Sequence, residues 1–224
     1  MKSFDKYLFI HDFQQTHSIT IIDTLGNYIN QLKRKGNGPS EYMDLESFAF
    51  DKENKEIVIN DRVLKQFQFY SFPDLEYVRT KRKNQYLNTF EILDENHWLV
   101  ISDEDNEQME YAGVEIWDES QNLKSKLDFM NNSILSIDLS YSNTLTSCKD
   151  HFLYANPGEK TTIYKIDSQN QIPTYSIDFG KNKIPEHVFA NTKELQEANY
   201  IFTELPHKVF WVQNVIESDD YLSF

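Results

Sequence analysis

Four residues with oxygen-bearing side chains close similar segments of the chain. Asp12 ends Tyr7-Leu8-Phe9-Ile10-His11-Asp12, and Asp61 ends Glu56-Ile57-Val58-Ile59-Asn60-Asp61. Asp103 ends Trp98-Leu99-Val100-Ile101-Ser102-Asp103, and Asn156 ends His151-Phe152-Leu153-Tyr154-Ala155-Asn156. Brought to one face, these groups would make a ring of oxygen ligands for sugar hydroxyls or for a hard cation such as Ca²⁺, which takes about six to eight such ligands. The competing role is local: Asp and Asn at the end of a strand accept backbone N–H bonds in their own turn. That role is the commoner one. Between the first two segments lies Gly36-Asn37-Gly38-Pro39-Ser40-Glu41-Tyr42. Its Gly36, Gly38 and Pro39 have the chemistry of a tight linker. Glu41 and Tyr42 are both ligand-binding candidates, Glu41 being the member best placed to meet solvent or ligand, while the competing role for Tyr42 is a ring packed beneath a neighbouring element.

Other chemistry is thin. The six histidines (His11, His17, His97, His151, His187 and His207) form no His-x-His or His-Glu-x-x-His pattern. No Gly-x-Ser-x-Gly elbow or phosphate-binding loop occurs. Cys148 is the single cysteine, which removes internal disulfides, and it reads as a small core residue without an activating partner. No catalytic residues are assigned, and no cofactor is expected apart from the Ca²⁺ considered above. Basic residues gather near Lys33-Arg34-Lys35, Arg79 to Lys83, Lys124 with Lys126, and Lys181 with Lys183. A rim of that kind would attract an acidic partner, or serve only solubility.

The elements that must hold these groups repeat roughly every fifty residues. After each first segment comes a second: Ile19 to Asp23, Gln66 to Tyr70, Gly113 to Asp118 and Thr162 to Asp167. Polar turn residues follow, then a third run at Tyr28 to Leu32, Leu75 to Arg79, Leu123 to Leu127 and Thr174 to Phe179. One more run precedes the first segment from the second unit onward: Ser47 to Asp51, Thr89 to Leu93 and Thr144 to Cys148. Period-two alternation, aromatic and β-branched residues, and regular turns read as antiparallel strands. Four strands per unit is the size of a β-propeller blade. The expected fold is therefore all-β, with four-stranded antiparallel blades numbering about four to five. Blade 1 is partial (1–35), followed by blades at 43–83, 88–130 and 143–180, a helical insertion at 184–200, and a blade begun at 208–224. Asn191 with Glu194 has capping-box character, which predicts a short helix over 192–199.

Composition narrows the partners. The 224 residues carry 22 Lys and Arg against 36 Asp and Glu, a formal net charge of −14. Nucleic acid is disfavoured. No apolar run reaches the roughly 18 residues of a spanning helix. The first residues, Met1 to Lys6, do not form a secretory signal.

The Gly36 to Tyr42 segment, which follows a strand after Asp23-Thr24-Leu25-Gly26-Asn27, resembles the G-x-G-P-x-E-[FY] linker of a six-bladed β-propeller family common in Bacteroidetes. Ile177-Asp178-Phe179-Gly180-Lys181 and Ile184-Pro185 are similar to later segments of that NHL-like family. The resemblance implies a propeller of six blades and an exported, periplasmic or cell-surface lipoprotein. The expected function is non-catalytic, a loop face presented to a protein or carbohydrate partner. The alternative is a hydrolase or lyase of lactonase type with a divalent cation in the channel. Unpaired blade edges would add a tendency to self-associate.

Overall fold

Unbroken apolar runs in the second repeat, such as Ile57-Val58-Ile59, give its inner strands two buried faces, and that double burial organises the packing around them. We describe the protein from a computed structural model, covering residues 1–84, 87–103, 111–127, 145–148, 150–156, 160–183, 212, 215–218 and 221–223. The first sheet is β1 (Lys2–Phe4), β2 (Tyr7–Asp12), β3 (Ser18–Asp23) and β4 (Tyr28–Leu32). The second is β5 (Ser47–Asp51), β6 (Glu56–Asp61), β7 (Gln66–Ser71) and β8 (Tyr77–Arg82). The third is β9 (Leu87–Asp94), β10 (His97–Asp103), β11 (Tyr111–Asp118) and β12 (Leu123–Leu127). The fourth is β13 (Leu145–Ser147), β14 (Phe152–Asn156), β15 (Lys160–Ile166) and β16 (Gln171–Asp178). Each is a meander in which chain neighbours are sheet neighbours. These are four-stranded antiparallel blades, and the fold is an all-β propeller fold. A 3₁₀ turn at Gly180–Asn182 and a short pair, β17 (Ile216–Glu217) with β18 (Leu222–Ser223), complete the described elements.

The chain divides into two compact units. The first comprises residues 1–102 and 115–125, and the second 103–114 and 126–224. In the first unit, Phe48, Phe50, Ile57 and Ile59 of the second sheet pack with Phe9, Ile19, Ile21 and Leu32 of the first. Their alternates Ala49, Val58, Phe67 and Phe69 pack with Phe90, Ile92, Trp98, Val100 and Trp117 of the third. One sheet thus feeds two cores, because successive side chains leave a strand on opposite faces. All of β6 is buried as a result. Each large apolar side chain so buried is worth about 1.5–3 kcal/mol. In the second unit, Leu153, Ala155 and Ile163 of the fourth sheet form a core with Val212 and Val215.

Several local expectations differ from the structure. The first sheet has an inner strand that the alternation did not reveal, since β1 holds only three residues. Phe4 anchors it by stacking on Phe50 at 4.1 Å between ring centroids. The outer strand of the second sheet begins at Tyr77 rather than Leu75, which sits in the turn with φ 59°. Its amide bonds back to the Ser71 carbonyl at 2.9 Å. The helix expected over 192–199 and Thr144 lie outside the described residues.

Candidate functional site

The linker between the first two sheets holds two turns together. Tyr42 is fully buried, and its hydroxyl donates to the His17 carbonyl at 2.5 Å while accepting from the Arg34 amide at 3.1 Å. Burial raises its phenol above the ordinary range. The next residue, Met43, donates its amide to Asp61 Oδ2 at 2.8 Å. Consecutive linker residues therefore tie the β2–β3 turn region to the β6–β7 turn. Asp44 adds a 3.8 Å contact to His17, and Glu46 one of 3.8 Å to Arg62. Gln68, buried in β7, donates to the Glu41 carbonyl at 2.6 Å, and the Tyr70 hydroxyl lies 3.0 Å from the Ser40 carbonyl.

Glu41 folds back on its own linker: Oε2 accepts from the Gly38 amide at 2.8 Å. A Cβ on Gly36 would stand 2.0 Å from that same oxygen. The carboxylate and the missing side chain of Gly36 thus share one space. Pro39 completes the turn between them. Asp12 accepts from the amides of Gln14, Gln15 and Thr16 at 3.0–3.2 Å and from the Thr16 hydroxyl at 2.8 Å. The largest influence on its acidity is the Gln15 amide, which with the Thr16 hydroxyl holds the carboxyl below the usual range. Asp61, fully buried, takes the Met43 amide on one oxygen and the Leu64 amide, at 3.0 Å, on the other. The linker brings together Asp61, Glu41 and Tyr42, and through His17 the turn that Asp12 caps. For Asp103 and Asn156 the described part is backbone alone, at the ends of β10 and β14.

Several of the basic residues are absorbed into the packing. The Arg79 guanidinium bonds Glu56 at 2.6 Å and lies 3.8 Å from the Phe69 ring centroid. Lys83 is buried, its ammonium on Asn60 Oδ1, and desolvation pulls it down to about 8. His11 Nε2 lies 3.0 Å from the Leu45 carbonyl, and burial keeps the ring below its ordinary basicity.

Sequence reasoning missed the tips of the anchored turns. Phe13 is 57 % exposed on the β2–β3 turn, and Val63 and Leu64 are 61 % and 44 % exposed on the β6–β7 turn. In sequence they merge with the apolar strands on either side, and only their position past Asp12 and Asp61 distinguishes them. On the inner strands, Glu91 of β9 is paired with the ammonium of Lys2 in β1, which also donates to the Phe48 carbonyl.

A family model for a domain of unknown function, DUF4934, matches residues 1–224. Among solved structures the fold is similar to that of a Bacteroides fragilis protein assigned as exported, at 17% identity and a TM-score of 0.63. The match covers 92% of this chain and 55% of that one, so the chain spans about half the length of this neighbour. Fainter likenesses join it to the WD40 repeats of RRP9 (TM-score 0.45, 14% identity, 78% of this chain and 50% of that one). Hydrazine synthase of Kuenenia stuttgartiensis is a comparable case (TM-score 0.46, 10% identity, 77% and 46%). No curated protein matches the chain in sequence. Among the described residues, no helix is long and apolar enough to cross a membrane.

Proposed function

The chain belongs to the DUF4934 family of unknown function, and from that premise we propose that it is a non-catalytic propeller scaffold docking a protein partner through its β2–β3 and β6–β7 turns. The supporting observation is the contrast between the roots and the tips of those turns. At the roots, Asp12, Asp61, Glu41 and Tyr42 spend their polar atoms on backbone groups. At the tips, Phe13, Val63 and Leu64 keep roughly half of their apolar surface exposed to solvent. Rigidly held turns with apolar tips suit a partner's apolar surface, since pre-ordering lowers the entropy lost on association.

A carbohydrate would need free polar groups beside an aromatic platform. The groups best placed to supply them are already engaged, which favours a protein. The lactonase-type alternative needs an inner-strand carboxylate free to hold a cation. Glu91 is instead neutralised by the Lys2 ammonium, which supports the binding reading. Likeness to an exported Bacteroides protein supports a partner in the cell envelope or outside the cell.

The test compares wild type with the Phe13→Ser, Val63→Ser, Leu64→Ser triple variant. Both are immobilised and exposed to envelope proteins and to a glycan array. Truncated anchor residues commonly cost more than about 1 kcal/mol each, so protein retention should fall at least about tenfold, with circular dichroism unchanged. Equal retention by both, or binding to glycans alone, removes the proposal.

A further inference from the structure

The hairpin turn of the fourth sheet carries a second group of residues that the docking face does not use. The Cys148 amide donates to the His151 carbonyl at 2.9 Å, so these residues sit at the two ends of the turn between β13 and β14. Glu217 of β17 lies against them. One ligand atom from each of Cys148, His151 and Glu217 falls within 4.8 Å of the other two.

The surrounding contacts fix how each atom is presented. Asp150 Oδ1 lies 2.8 Å from His151 Nδ1. A carboxylate there keeps the proton on Nδ1 and turns the Nε2 lone pair toward the other two side chains. Nε2 is 3.0 Å from Glu217 Oε2, yet it is buried and makes no directed hydrogen bond. Two lone-pair-bearing atoms that close repel each other unless positive charge lies between them. A ring proton on Nε2 is badly aimed for that task, whereas a cation inside the triangle meets both atoms and Sγ at once. The other oxygen of Glu217 is already taken: Oε1 accepts from Lys165 Nζ at 2.7 Å and from the Tyr175 hydroxyl. Only Oε2 is left to face the imidazole, which specifies one-oxygen ligation.

We propose that Cys148, His151 and Glu217 form a three-ligand site for a borderline-soft divalent cation of the zinc class, with its fourth position left to solvent. Sulfur, nitrogen and a single oxygen match that class and not Ca²⁺ or Mg²⁺, which require shells of oxygen. The thiolate and Glu217 balance a divalent charge, and Asp150 and Lys165 balance each other. Burial, then the Glu217 charge, hold the unliganded thiol above its ordinary range, which makes it a poor nucleophile. Bound metal would clamp β17 onto the hairpin.

The experiment uses the full 224-residue chain, stripped with a chelator and titrated in parallel with Zn²⁺, Co²⁺ and Ca²⁺. Co²⁺ should produce a thiolate-to-metal charge-transfer band at one equivalent. Zn²⁺, but not Ca²⁺, should slow alkylation of Cys148 in the wild type at least about tenfold, a readout that depends on no variant. Cys148→Ser and Glu217→Gln should abolish the band or weaken Zn²⁺ binding by at least that factor. Asp150→Asn should weaken it by about 10–100-fold, the usual effect of a lost outer-shell carboxylate. Wild type without the band and without protection overturns the site, as does Cys148→Ser binding Zn²⁺ as tightly as wild type. This site shares no residue with the docking turns, and its failure would leave that reading untouched.

Discussion

Glu41 shows how a residue that reads as a ligand can be absorbed by the backbone. Its carboxylate accepts the Gly38 amide and fills the space a side chain at Gly36 would need. Gly36 is required for that close approach and not for a positive φ, so alanine is tolerable there if the carboxylate swings away. The flexible end of Glu41 can do so, but the Gly38 amide then loses its charged acceptor, a bond worth about 1.5–3 kcal/mol. Gly36→Ala and Glu41→Ala should each lower stability by about that amount, because each breaks the same bond. The double variant should cost little more than either one, giving a coupling energy close to the single loss, about 1.5–3 kcal/mol. Urea midpoints of the four proteins measure it. Additive losses would mean that Gly36 is held for a reason other than Glu41.

At the scale of elements, the blades repeat a device as well as a pattern. Asp23 accepts from the amides of Leu25 and Asn27 and from the Asn27 side chain, at 2.8–2.9 Å. Asp118 does the same with Asn122 at 2.8 and 3.0 Å, and Asp167 with Gln169 and Asn170. Asp23 and Asp118 end the third strand of the first and third sheets, Asp167 directly follows that of the fourth, and each folds the turn into the fourth strand. The Asn27 and Asn122 side chains, with the adjacent amides, hold Asp23 and Asp118 below the usual carboxylate range, Asp118 furthest. A carboxyl depressed in the folded state contributes stability above its unfolded value, near 3.9, and loses it as pH falls below that toward the folded value. Wild type should therefore lose urea resistance between about pH 4 and about pH 2, more steeply than Asp118→Asn. The gap between the two should be widest above about pH 4 and shrink in acid. A gap that stays constant through this range would detach the turn from the acid response. This device was legible, because strand alternation followed by Asp and Asn is a local signal. The three-residue β1 was not, since alternation needs length to be seen and Phe4 is fixed only by Phe50, far along the chain. The zinc-class cluster was not read from the sequence, where Cys148 stood as a small core residue without a partner, because Glu217 joins Cys148 and His151 only through tertiary packing. Asp12 and Asp61 were legible as turn residues, whereas the exposure of Phe13 and Val63 depends on where the strands stop.

For the molecule as a whole, four outer strands present backbone groups to solvent, which invites pairing between copies. Their sequences oppose it. β8 carries Arg79, Lys81 and Arg82, β12 carries Lys124 and Lys126, and β16 carries Pro173, which has no amide to offer a new partner. The outer pairing is also broken by a register shift at Ile21/Ile22, at Phe69/Tyr70 and at Ile163/Tyr164. Such irregularities increase local twist and spoil a flat edge. A net charge of −14 adds repulsion between copies at low salt, but at about 0.5 M the screening length falls to a few ångströms. Charge alone would then stop protecting the edges, while the bulges and Pro173 would still act. The full chain should consequently sediment as a monomer at both low and high salt. Pro173→Val, which restores an amide to β16, should show concentration-dependent association first at high salt. If wild type already associates when salt is raised, repulsion and not edge geometry keeps the blades apart. If Pro173→Val stays monomeric at every concentration, the protection of β16 lies in its bulge at Ile163/Tyr164.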